Sequence, residues 1–215
     1  MLFKSIATVV ALAGLAAAQS KELTHGKAEV NMNDIEATFT FDKVDGGMSI
    51  GVTIAKGLTS AIQVLPTGFD YHVHVNPVGP NNNCTATGLH LDPAKVGVAK
   101  PCDPTDLTTC QTGDLAGKYG NLMGTADGAI PKATYLDTQL TFTGEGEESM
   151  VGRSIVIHNN GTRIACANID IDGQDAPTPS GGKPEPTKPA GENSAAKLVG
   201  SVALTGFVAM MMMAL

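Results

Sequence analysis

The chain has 215 residues, with 14 Lys and Arg against 21 Asp and Glu and a net charge of −7. An acidic chain of this kind carries no nucleic-acid footprint. Between two atypical ends, its length leaves one domain of ordinary size, enough for a single core.

In MLFKSIATVVALAGLAAAQS, Lys4 gives a basic start, residues 6–15 a short apolar run, and Ala16, Ala17 and Ala18 a site for cleavage before Gln19. Residues 1–18 therefore read as a secretion signal, and the run is too short for a comfortable membrane span.

The body, residues 19–172, reads as all-β. KAEVNMNDIEATFTFDKV, GMSIGVTIAKGL, SAIQVLP, FDYHVHV, TYLDTQLTFTG, GRSIVIHNN and TRIACANIDI are strand-like, with Gly, Asn, Asp and Pro between them. Short strands separated by turn signals predict a Greek-key β-barrel or sandwich, and helical periodicity is not persuasive anywhere in the body. Residues 84–128 show little strand pattern. An irregular stretch of that length inside a compact domain is functional, or pinned by a disulfide or a metal.

Four cysteines in a secreted chain allow three pairings. Cys102 and Cys110 bracket the short loop CDPTDLTTC and would pair easily, which leaves Cys84 and Cys166 to each other. Asn83-Cys84-Thr85 and Asn160-Gly161-Thr162 are glycosylation sequons.

Residues 173–193, rich in Pro, Gly, Ser and charge, predict an unfolded stalk. Residues 194–215 end in an apolar tail, LVGSVALTGFVAMMMMAL. Small residues, a polar spacer and a terminal apolar run are the pattern of a glycolipid (GPI) anchor signal. Asn193 is the expected attachment residue, with Gly191 and Ser194 as rivals. A tail-anchoring transmembrane helix is the alternative. Both ends predict an extracellular protein tethered to a membrane or cell wall.

Two of the five histidines, His72 and His74, stand two residues apart in DYHVHVNPVGP. On a strand they share a face, roughly 7 Å apart. His90 lies in the irregular segment soon after Cys84, and His158 ends the strand SIVIH. A Cys84–Cys166 bridge would pull the His90 loop against the strand that follows His158 and bring all four rings together. Four neutral imidazoles suit copper, zinc or nickel.

Five segments in order, FDYHVHVNP, CTATGLHLDP, TGDLAG, SIVIH and GTRIACANI, resemble the signature segments of the copper-zinc superoxide dismutases. The resemblance implies a Greek-key barrel with copper at one edge, held by His72, His74, His90 and His158. It matches Cys84 and Cys166 to the family's disulfide and Arg163 to the arginine that guides superoxide. It also implies that His90 leaves Cu(I) carrying a proton and rebinds Cu(II). Asp114 matches the aspartate of the zinc site, yet no histidine stands between His90 and Asp114 to complete such a site. Structural zinc needs four protein ligands. One copper per protomer and no zinc are therefore expected.

Only Asn159, Asn160, Gly161 and Thr162 separate His158 from Arg163, where zinc-containing members have a long charged loop. These departures resemble the copper-only, GPI-anchored superoxide dismutases of fungal surfaces. Without zinc, His90 needs another group to fix its ring, and Asp114 is the expected partner. Gln111 stands where copper-only relatives tend to have glutamate. Lys95, Lys100 and Lys118 are candidates for positive field at the mouth. The expectation is a monomeric superoxide dismutase. The rival is a non-enzymatic surface protein that binds or buffers copper and has no need of Arg163. A histidine-brace oxygenase would require His25 as the first mature residue.

Overall fold

The computed structural model describes residues 22–143 and 146–175. The leader expected at 1–18, the anchor signal at 194–215, Asn193 and most of the stalk lie outside them.

Among the described residues eight strands follow in chain order: β1 His25–Met32, β2 Ile35–Val44, β3 Gly47–Lys56, β4 Asp70–His74, β5 Ile130–Asp137, β6 Ser154–Asn159, β7 Thr162–Asn168 and β8 Asp170–Ile171. They form two antiparallel sheets, a five-stranded one in the order β5-β3-β2-β1-β8 and a three-stranded one in the order β4-β6-β7. The first long stretch read as strand is a hairpin. Asn33 and Asp34 both take positive φ (53° and 62°), the twist that a two-residue turn between β1 and β2 requires.

The large sheet alternates as a half-buried sheet should. In β2, Ile35, Ala37, Phe39 and Phe41 point inward and the residues between them stay partly exposed. They meet Tyr71 and Val73 of β4 and Ile155 and Ile157 of β6 in one core between the sheets.

Three expectations are corrected. SAIQVLP is a series of turns, because Ile62 and Val64 stay 46% and 60% exposed and bury no strand face. Its backbone is satisfied by a side chain instead: Val64 N donates to Asn159 Oδ1 and Asn159 Nδ2 donates to the Ile62 carbonyl. The strand in TYLDTQLTFTG stops at Asp137, whose carboxylate accepts from the Gln139 and Leu140 amides and turns the chain. The irregular segment also contains a short helix, α1 Leu115–Tyr119, capped by Asp114.

The small sheet differs from the large one in being covered on both faces. In β6 all residues from Ser154 to His158 are buried. The covering layer is the segment from Cys84 onward. It is laced to the free edge of β4 by Leu91 N to the Val73 carbonyl (2.8 Å), Val73 N to the Gly113 carbonyl (2.9 Å) and Val75 N to the Leu89 carbonyl (3.0 Å). Gly113 must be glycine there, since a Cβ would stand 2.3 Å from the Val73 carbonyl oxygen. A Cys84–Cys166 disulfide ties the same layer to β7, and a Cys102–Cys110 disulfide closes a loop further along it.

Candidate metal centre

Strand geometry places the site. Tyr71 and Val73 of β4 enter the core, so His72 and His74 face the covered side of the small sheet. On β6, Ile155 and Ile157 enter the core, so His158 shares that covered side. The covering layer supplies His90, which forms an isolated bridge with His74. The four rings converge, with one potential ligand nitrogen from each lying within 4.8 Å of all the others. His25 stands apart, bonded at 2.6 Å to Asp42.

In three of the rings one nitrogen is hydrogen-bonded from outside the cluster. His74 Nδ1 lies 3.0 Å from the Gly88 carbonyl, His90 Nδ1 2.6 Å from Gln111 Oε1, and His158 Nδ1 3.4 Å from the Gly161 carbonyl. His72 Nε2 is 3.5 Å from Asp114 Oδ1. A carbonyl oxygen only accepts, so His74 and His158 carry their protons on Nδ1 and turn bare Nε2 atoms toward each other, 3.2 Å apart. His72 Nδ1 is buried with no hydrogen-bond partner. Facing lone pairs and an orphaned buried nitrogen are costly alone and favourable around a cation. The residues fit a metal.

Protonation agrees. Burial, aided by the neighbouring imidazoles, pushes His74 down to about 3 and His158 down to about 4, and holds His72 far below the usual imidazole range. All three are neutral at physiological pH, the form that binds metal. Nitrogen-rich, uncharged donors of this kind suit copper.

Asp114 requires a correction. Its Oδ1 accepts from Gly117 N at 2.8 Å as the cap of α1, and its imidazole neighbour is His72. Gln111 holds His90 instead. Lys118 also departs from expectation: its ammonium is buried against Asp137, the Thr112 carbonyl and Gln139 rather than at the mouth. Lys95 is exposed on the turn after Asp92, and Lys100 lines a cavity of about 190 Å³ beside His90, Gln111 and Asp114. The Lys118–Asp137 pair had no sequence signal beyond a lone lysine in LAGKY. Gly88, whose carbonyl orients His74, is marked only by its positive φ of 74°.

Arg163 stands opposite His158 in the β6–β7 ladder and donates from Nη2 to the Gly88 carbonyl at 2.6 Å. That carbonyl also receives His74 Nδ1, so guanidinium and imidazole share one anchor. No carboxylate pairs with Arg163 among the described residues. Both sequon asparagines, Asn83 and Asn160, are exposed.

The model of the copper/zinc superoxide dismutase family matches residues 35–183. Cell surface Cu-only superoxide dismutase 5 of Candida albicans is 38% identical over 145 residues, covering 66% of this chain and 58% of the relative. The chain thus spans little more than half the length of that relative. A cell surface Cu-only superoxide dismutase of Arthroderma benhamiae is 41% identical over 115 residues, covering 53% of this chain and 31% of its own length. The solved Cu(II) structure of Candida albicans superoxide dismutase 5 superposes with a TM-score of 0.59 at 35% identity, covering 72% of this chain and 97% of that one. The chain belongs to the copper/zinc superoxide dismutase family.

Proposed function

We propose that the protein is an extracellular copper-only superoxide dismutase, converting two superoxide anions and two protons into dioxygen and hydrogen peroxide. His72, His74, His90 and His158 would hold one copper ion through the nitrogens left free inside the cluster. Copper there supplies the one-electron couple between Cu(II) and Cu(I) that the reaction needs.

The remaining work falls to the chain. The Gly88 and Gly161 carbonyls fix the tautomers of His74 and His158, and Gln111 fixes the ring of His90. With Nδ1 of His90 engaged by Gln111, its Nε2 is the atom that can take up and release a proton at the cluster. Arg163 attracts the anion toward the imidazoles, since an unpaired guanidinium raises the local concentration of a small anion. The absence of zinc in this reading rests on the ligand count, since no histidine stands between His90 and Asp114 to complete a second site. The hydrogen bond to Gln111 also occupies the nitrogen a bridging imidazole would offer a second metal. Cell-surface placement, a GPI anchor near Asn193, glycans on Asn83 and Asn160, and a monomeric state complete the proposal. They are supported by the two ends of the sequence, the exposed sequons and the cell-surface relatives.

One observation carries the enzymatic reading over a copper buffer: among the described residues Arg163 has no carboxylate partner, and it shares its anchor with His74. The test is superoxide consumption by copper-loaded protein beside its Arg163→Ala variant at equal copper content. The variant should retain copper and lose about tenfold or more in rate, and the parent rate should fall as salt rises. Equal rates in parent and variant would favour the buffer.

A further inference from the structure

His90 is held by Gln111, but an amide is a poor clamp by itself. Its oxygen and nitrogen are nearly the same size, and a half-turn of the side chain would present a donor to His90 in place of an acceptor. His90 Nδ1 would then have to lose its proton, moving it to Nε2, where it would close the face turned to the other three imidazoles. Something must decide which way the amide lies.

The neighbours of Gln111 decide it. Gln111 Nε2 is 3.2 Å from Asp92 Oδ2. Both carboxylate oxygens of Asp92 are already committed as acceptors to backbone amides, Oδ1 from Val96 N at 3.0 Å and Oδ2 from Gly97 N at 2.8 Å. A backbone N–H cannot be reversed, so the orientation propagates without ambiguity. The Val96 and Gly97 amides make both Asp92 oxygens acceptors. Asp92 then requires the NH₂ of Gln111, and the Gln111 oxygen is left for His90 Nδ1–H. The turn that starts this relay is locally built: Lys95 N donates to the Asp92 carbonyl at 3.0 Å, and Lys95 and Gly97 take positive φ of 55° and 71°.

We propose that Asp92 is a positioning residue for the copper centre. Through the Gln111 amide it sets the tautomer of His90, holding the proton on Nδ1 and keeping Nε2 free. The proposal rests on the metal-centre reading above, but its first readout does not depend on turnover. It also makes the residue types at 92 and 111 a matched pair, acceptor against amide, so that exchanging both preserves the polarity of the relay. In the double variant Asp92→Asn with Gln111→Glu, the amide now at position 92 would keep its oxygen on Val96 N and give up the Gly97 bond. Its NH₂ would turn to the carboxylate now at position 111, whose other oxygen accepts from His90.

The experiment uses the full chain, reading the His90 Nδ1–H by proton–nitrogen NMR before copper is added and then the affinity for Cu(II), the oxidation state that His90 binds, by titration. The parent should show a hydrogen-bonded His90 Nδ1–H. Asp92→Ala should weaken that signal and lower copper affinity about tenfold or more, the usual scale for a group that orients a ligand. Asp92→Asn alone puts an amide NH₂ against a donor in either orientation and should also bind copper more weakly. Adding Gln111→Glu to Asp92→Asn should restore the signal and bring affinity back to within about threefold of the parent. If Asp92 only shapes its turn, the second change will recover nothing over Asp92→Asn, and that result overturns the proposal. So does an unchanged His90 signal and copper affinity in Asp92→Ala. A protein that shows the expected tautomers but consumes no superoxide would defeat the dismutase reading and leave the role of Asp92 standing.

Discussion

The two sheets use the same strand physics to opposite ends. In β2 every second residue enters the core and the others stay partly exposed, so the outer face of the large sheet is an ordinary solvated surface. In β6 the outer face is buried too: Val156 packs with Val78 and the Cys84–Cys166 disulfide, and His158 lies under the covering layer. The large sheet needs only its core. The small sheet depends on a second, non-sheet layer, and the four-histidine cluster is assembled where the two meet. Its imidazoles should therefore respond to whatever loosens that layer, while the outer face of the large sheet should tolerate change.

The two disulfides test this first, because both act on the covering layer but only one joins it to the sheet. Cys84 and Cys166 are 82 residues apart, whereas Cys102 and Cys110 are 8 apart. From loop-closure entropy, replacing Cys84 and Cys166 by Ser should cost about 4.5 kcal/mol and replacing Cys102 and Cys110 about 2.6 kcal/mol. The first pair should also lose copper and the second should retain it, as read by denaturant unfolding and metal content. Equal copper loss from both would break the distinction between the layer's attachment and its interior.

A second comparison matches the outer faces directly. Val156→Ala on β6 removes buried methyl groups beneath the disulfide and should cost about 2 kcal/mol. Thr38→Ala on the outer face of β2 should change stability by less than about 0.5 kcal/mol. Urea midpoints of the two variants against the parent check it.

The response to pH is graded rather than abrupt. His74 and His158 have folded pKa values near 3 and 4, and His72 lies lower, all below the value near 6.5 of an unfolded chain. Depressed values mean the folded state refuses protons that the unfolded state accepts. The stability of the metal-free protein is thus fully present above about pH 6.5 and declines as pH falls toward 4, by up to about 1.4 kcal/mol per pH unit for each ring. His158→Gln should flatten that slope in unfolding curves taken from pH 8 to 5. A parent with no slope over this window would mean the rings are protonated in the fold.

Much of this is legible in the sequence because it rests on short-range pattern. Alternation in IEATFTF and the pairing of His72 with His74 on one strand face follow from the period of two, and the resemblance names the four histidines as a set. What escapes is decided by side chains acting on distant backbone. SAIQVLP has strand composition, but Asn159 satisfies its backbone and no face is buried. Asp114 stands in a family motif that points it toward His90, yet it caps α1 while Gln111, which the sequence marks only as a departure, takes that place. Lys118 is a surface charge in any sequence reading. Only the fold brings Asp137 and the Tyr119 hydroxyl together around the cation it buries.

On this proposal four imidazoles complete one metal site, with no histidine between His90 and Asp114 for a second. Elemental analysis of the full-length protein after exposure to copper and zinc together tests it most directly. One copper per chain and no retained zinc is the expected result; stoichiometric zinc held beside copper would contradict it.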